Sequence, residues 1–263
     1  YSKENVPLQP KHHLPINITG AKENDFAMIL GYPGRTNRWM PSGGIAQNVT
    51  YAYPAHVEGA KTGMDNMKKF MSKDESVNLK YASKYASTAN YWKNRQGMID
   101  ALTKAKTAAA KSNEEAKFNA WANKPENKEK YGNVIATIND YYAKTNLKSR
   151  HDNYLSQLVR TASYGVAPYI LGNALIAYYK ENDAKRAEML PKITGLIDNY
   201  YGDFYAPLEK EVLTAQLNLY AAKASEYGLA PVVAKMKETN KGSFAADVDK
   251  AITGSIFASK ERS

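Results

Sequence analysis

Ser83, Ser87, Asn90, Asn94 and Gly97 follow one another at steps of four, three, four and three. A helix through them carries one continuous row of small, polar, uncharged groups. Solvated helix faces are usually rich in Lys and Glu, and Asn costs about 0.5 kcal/mol relative to Ala inside a helix. The row therefore either lets another helix pack closely or borders a cleft in which an amide carbonyl accepts a hydrogen bond from a ligand. Other chemistry is thinly represented. His12 and His13 are adjacent beside Lys11, and neighbours in an extended segment point opposite ways, so one metal does not readily take both. His56 and His151 are isolated, with no HExxH pattern, and no metal or other cofactor is assigned. No serine sits in a GxSxG elbow, and with no cysteine there is neither a thiolate nucleophile nor a disulfide. Gly31-Tyr32-Pro33-Gly34 lacks the lysine and helix start of a phosphate loop and reads as a tight turn. Lys11, Arg35 and Arg38 near it could meet an anion.

The elements that must position these residues change character near Pro54. Six of the eleven prolines and five of the sixteen glycines lie in residues 1–54, while residues 55–124 contain no proline. Before Pro54 the apolar groups are short: Ile16 and Ile18, Phe26 to Leu30, Trp39 and Met40, Ile45 to Val49. Turn residues separate them, Ser42-Gly43-Gly44 among them. Such runs predict β-strands, which need a sheet completed by sequence outside these residues. After Pro54 the period becomes helical. Val57, Ala60, Met64, Met67 and Met71 form one stripe, and Val77, Tyr81, Tyr85, Trp92, Ile99 and Leu102 another. Further helices are expected near 113–123, 126–144, 148–180, 183–200, 207–227 and 244–252. Pro125, Pro191, Pro207 and Pro231 fit helix starts, and Pro168 should kink its helix. A single helix over 75–110 would be about 54 Å long, so a break is expected, with Gly97 its place. The domain reading is a β segment over 1–54 and a helical domain over 55–263.

The 263 residues carry a formal net charge of +10 and no apolar run near the ~20 residues that cross a bilayer. Lysines are mixed with Glu and Asp along the whole chain, which fits a solvated exterior. A basic helical module for nucleic acid or an anionic surface is the alternative. The twenty tyrosines fall mostly on the helical stripes, so packing explains them better than base stacking.

Three segments are more specific. They are Pro7-Leu8-Gln9-Pro10-Lys11-His12-His13, Asp25 through Trp39 with its strand closed by Gly31-Tyr32-Pro33-Gly34, and Tyr85-Ala86-Ser87-Thr88-Ala89-Asn90-Tyr91-Trp92-Lys93-Asn94. Together they make the chain resemble, from end to end, the bacterial serine dipeptidyl aminopeptidases of the dipeptidyl peptidase 7 and dipeptidyl peptidase 11 kind. The resemblance implies a mainly α fold: a multi-helix domain inserted in a chymotrypsin-like β-barrel protease, with a short N-terminal β segment. It implies a lid over the active-site cleft, with hinge motion near Pro54. The Ser-His-Asp triad would lie in the parent outside these residues, leaving this stretch without catalytic residues of its own. Asn90 would help anchor the substrate's α-amino group, with Ser83, Ser87 and Asn94 lining the cleft. Oligopeptides with a free N-terminus are the implied partners, rather than nucleic acid or a membrane. A homodimeric parent in the periplasm or at the surface of a Gram-negative bacterium is implied as well. The stretch from Gly34 to Trp39 looks closer to the branch preferring hydrophobic residues.

Overall fold

The computed structural model describes all residues except 1, 2, 17, 29, 33, 35 and 240–242 and the side chain of Ala167. It divides into Tyr1–Arg38 and Trp39–Ser263. In the first unit the described residues form turns and extended stretches. Lys22 N donates to Asp25 Oδ2 at 2.7 Å, with Asn24 in the left-handed region at φ 73°. The strands expected there do not form among the described residues. Val6, Leu8, Ile16, Ile18 and Phe26 are all more than four-fifths exposed. A strand is stable only in a ladder, and no described segment supplies the second rail. Pro33 and Arg35, part of the anticipated turn and anion group, lie outside the described residues.

The second unit is helical from Ser42. Its elements are α1 (Ser42–Gln47), a π-helical stretch (Asn48–Ala52), α2 (Tyr53–Met71), α3 (Glu75–Lys104), α4 (Thr107–Ala122), α5 (Pro125–Tyr131), α6 (Val134–Thr161), α7 (Ala167–Tyr179), α8 (Asp183–Asp203), α9 (Ala206–Lys223), α10 (Pro231–Thr239) and α11 (Ala245–Gly254). Here the sequence expectation is corrected: Ser42-Gly43-Gly44 is a helix start rather than a turn, and Ile45 to Val49 is helical rather than a strand. Tertiary capping explains it. Ser42 N and Oγ donate to Glu115 of α4 at 2.5 and 2.6 Å, and Gly43 N donates to Asn139 Oδ1 of α6 at 3.0 Å. These acceptors satisfy the free N–H groups that any helix start leaves. Burial opposes the Glu115 charge, but the Ser42 and Asn139 bonds hold its carboxyl below the usual range. Pro54 sits in the first turn of α2 inside this helical run, and the division between the two units falls after Arg38.

α2 is the hub, packed against α3, α6 and α9. Its stripe holds: Ala60 and Met67 are fully buried and Met64 nearly so. Gly59 and Gly63 share that interior side. A Cβ on Gly63 would lie 2.0 Å from Thr161 Cγ2, and one on Gly59 2.6 Å from Gln157 Cγ. Glycine lets α6 approach to that distance, while Gln216 Nε2 of α9 caps the Gly59 carbonyl at 2.8 Å. One apolar cluster joins Met67, Val77, Tyr81, Leu208 and Val212. A second joins Tyr154, Leu158, Leu217, Tyr220, Phe244 and Ile252.

Several boundaries differ from the sequence expectations. α3 runs unbroken through Gly97, whose surroundings are open, and the chain turns instead at Lys106, φ 50°. One glycine costs only about 1 kcal/mol in a helix, too little to break one already propagating. α6 continues across 145–147, where Thr145 Oγ1 bonds back to the Tyr141 carbonyl at 2.8 Å. The kink expected at Pro168 is a full break: α6 ends at Thr161 and Pro168 lies in the first turn of α7. Pro191 lies inside α8 rather than at its start.

Candidate functional site

A cavity of about 600 Å³ opens between α3 and α6, with His56 of α2 and Asp203 at the end of α8 completing the wall. α3 contributes Lys80, Tyr81, Ser83, Lys84, Ser87, Thr88, Tyr91 and Arg95; α6 and the turn after it contribute Ser156, Gln157, Arg160, Thr161 and Ser163. α3 starts where it does because the Asp74 side chain accepts from Ser76 N at 2.8 Å and Val77 N at 3.3 Å. A bond from the Ser76 side chain, and then those from the Val77 and Ser76 amides, hold the Asp74 carboxyl below its ordinary value. Val77 and Tyr81 then bury against α2 and α9, which fixes the rotation of the helix.

The floor is a buried hydrogen-bond knot. Tyr81 Oη donates to Glu209 Oε1 at 2.8 Å and accepts from Tyr205 N at 3.1 Å, while Tyr164 N donates to Glu209 Oε2 at 3.1 Å. Glu209 is fully buried. Burial, then the Glu209 charge, pushes the Tyr81 hydroxyl far up, so it stays protonated and donating. Lys84 Nζ donates to Ser163 Oγ at 2.8 Å; burial lowers its pKa and Glu209 acts in the opposite sense. Burial, and then the charge of Arg95, lower the pKa of His56. Its ring is neutral near pH 7, and Gln157 Nε2 lies 3.1 Å from Nδ1. Arg95 stacks over the Tyr53 ring with its guanidinium carbon 4.7 Å from the centroid.

The predicted row divides between cavity and solvent. Ser83 and Ser87 line the cavity, whereas Asn90 and Asn94 are exposed on α3 outside its lining. The sequence reading missed Lys84, Thr88, Tyr91 and Arg95, which recur at steps of four, three and four on the neighbouring face. One residue turns a helix by about 100°, so the two rows run side by side. That spacing was a readable signal, masked because lysines and arginines pass as solvated surface. His151 belongs to structure: its Nε2 is 2.7 Å from the buried Tyr220 hydroxyl. Among the described residues no serine hydroxyl hydrogen-bonds a histidine ring. No group of three or more His, Asp or Glu among them is placed to hold a metal.

The peptidase S46 family matches residues 1–263, the whole chain. The chain belongs to the peptidase S46 family. Among S46 relatives, a dipeptidyl-peptidase 7 of Capnocytophaga gingivalis is 46% identical over 264 residues, covering 99% of this chain and 36% of the relative. An Asp/Glu-specific dipeptidyl-peptidase of Flavobacterium psychrophilum is 34% identical over 85% of this chain and 32% of its own length. The crystal structure of Porphyromonas endodontalis DPP11 with the dipeptide Arg-Glu superposes with a TM-score of 0.74 at 27% identity, covering 100% of this chain and 37% of that one. The chain thus spans about a third of the length of these S46 relatives.

Proposed function

We propose that this chain is the helical part of a longer serine dipeptidyl peptidase that removes dipeptides from the N-terminus of oligopeptides. In this reading the helices are inserted in a chymotrypsin-like barrel and cover its cleft, and the Ser-His-Asp triad lies elsewhere in the parent. The first unit then supplies barrel strands whose partners lie elsewhere too. What carries the proposal is the end-to-end S46 match to proteins named as dipeptidyl peptidases. The exposed position of Asn90 on α3 supports its assigned part. Its amide oxygen is open to accept from a peptide ammonium, with Asn94, Ser83 and Ser87 along the same helix. Placement in the periplasm or at the cell surface, and a homodimeric parent, belong to the same proposal.

The test is kinetic. A hydrogen bond to a charged group is worth about 1.5–3 kcal/mol, or about 10- to 150-fold in kcat/KM where it is realised in the transition state. In the full-length protein, Asn90→Ala should lower kcat/KM on a dipeptidyl substrate by such a factor with far-ultraviolet circular dichroism unchanged. Unaltered kinetics would remove Asn90 from the site.

A further inference from the structure

The cavity beside the asparagine row carries more cations than carboxylates, even with the buried Glu209 beneath Lys84 counted. Lys80, Lys84, Arg95 and Arg160 face it, and Asp203 is the one carboxylate among the described residues lining it. The Arg160 side chain makes no hydrogen bond or ion pair with another described residue. Arg95 stacks on Tyr53 rather than pairing with an acid. Positive side chains gathered in a concavity repel one another, and their field concentrates anions there. Their layout discriminates among anions. Lys80 and Arg95 are fifteen positions apart on one continuous helix, about 22 Å along its axis. A single phosphate spans a small part of that distance, whereas an extended peptide advancing about 3.3 Å per residue covers it in six or seven residues. The volume of about 600 Å³ is in the usual range for ligand sites.

We infer that this cavity is a subsite for the carboxylates of acidic peptides, receiving Asp and Glu side chains or the chain-terminal carboxylate beyond the first two residues of the substrate. The inference rests on the reading of the parent as a dipeptidyl peptidase. It concerns the departing portion of the peptide, not the residue at the cleaved bond. Lys84 and Arg95 grip from α3 and Arg160 from α6, so an acidic tail bridges the two helices. The hydroxyl of Ser87 is a further donor to carboxylate oxygens, whereas Thr88 and Thr161 already donate theirs to the Lys84 carbonyl and to Gln157 Oε1.

The experiment uses the full-length protein and two pentapeptides that share the same cleavable first two residues and end in three Glu or three Gln. At low salt kcat/KM should favour the Glu peptide by about 5- to 30-fold, the sum of several partly exposed ion pairs. The preference should fade as salt rises toward about 0.5 M. The double variant Arg95→Gln, Arg160→Gln should reduce that ratio by at least about threefold, and Arg95→Lys, Arg160→Lys should largely retain it. A wild-type ratio of one or below overturns the inference, as when another part of the parent fills the cavity. So does a ratio that the Gln variant leaves unchanged. Asn90→Ala should lower both rates and leave the ratio alone, which separates the two ideas. If neither peptide is cleaved, the peptidase reading fails instead, and calorimetric titration of the same pentapeptides decides the subsite. Equal affinities, or a mixed-sequence oligonucleotide binding more tightly than the Glu peptide, would then refute it.

Discussion

Replacing Tyr81 with Phe deletes one oxygen at a point where three segments meet beneath the cavity. Its hydroxyl donates to Glu209 at 2.8 Å and accepts from the Tyr205 amide at 3.1 Å. Tyr81 is 2% exposed and Glu209 not at all, so water cannot readily substitute. A bond to a charged acceptor is worth about 1.5–3 kcal/mol and the orphaned amide about 1 more, so Tyr81→Phe should cost about 2.5–4 kcal/mol. No cavity term enters, because the ring remains. Urea and thermal unfolding followed by circular dichroism read this directly, with a fall in melting temperature of about 5–15 °C for a domain of this size. A cycle with Glu209→Gln should show a coupling of at least about 1 kcal/mol, since both changes break the same bond. A loss below about 1 kcal/mol, or additive effects, would show that the knot does not hold the floor.

Gly63→Ala places a methyl 2.0 Å from Thr161 Cγ2, and overpacking of that kind should destabilise by about 1–3 kcal/mol in chemical denaturation. Gly97→Ala, with open space around it, should stabilise by about 0.5–1 kcal/mol in the same assay. The pKa of His56 is lowered from 6.5 in the folded state, so the unfolded chain binds the proton more tightly. Stability should therefore decline as pH falls below about 6.5, and His56→Gln should flatten that part of the pH profile of unfolding free energy.

Local periodicity made part of this legible. The α2 stripe and the Val77–Tyr81 anchor of α3 are inscribed at intervals of three and four, and burial follows them. The Ser42 helix was hidden because its caps come from Glu115 and Asn139, 73 and 96 residues away in sequence. Without those acceptors Ser-Gly-Gly reads as a turn, as its composition suggests. The helix start at Pro231 was legible from the proline, but the extent of α10 was not, because nine residues are too few to display a clear period. For the site, the asparagine row stood out as unusual chemistry, whereas the cationic face beside it stood out only once α6 brought Arg160 opposite. A side chain's neighbours across a groove are a property of the tertiary fold, and spacing along one helix does not contain them.

The unbroken course of α3 has a mechanical corollary. Thirty residues make a rod of about 45 Å, and its fully buried positions, Val77 and Tyr81, lie in the first two turns. α3 lies along α2 and is held again past its middle by Arg95 over Tyr53, so a tilt of the packed pair by about 5° would carry the far tip by about 4 Å. Asn90 and Arg95, well along the rod, would travel together, so a molecule that pulled on one would reposition the other without any bond in between having to bend.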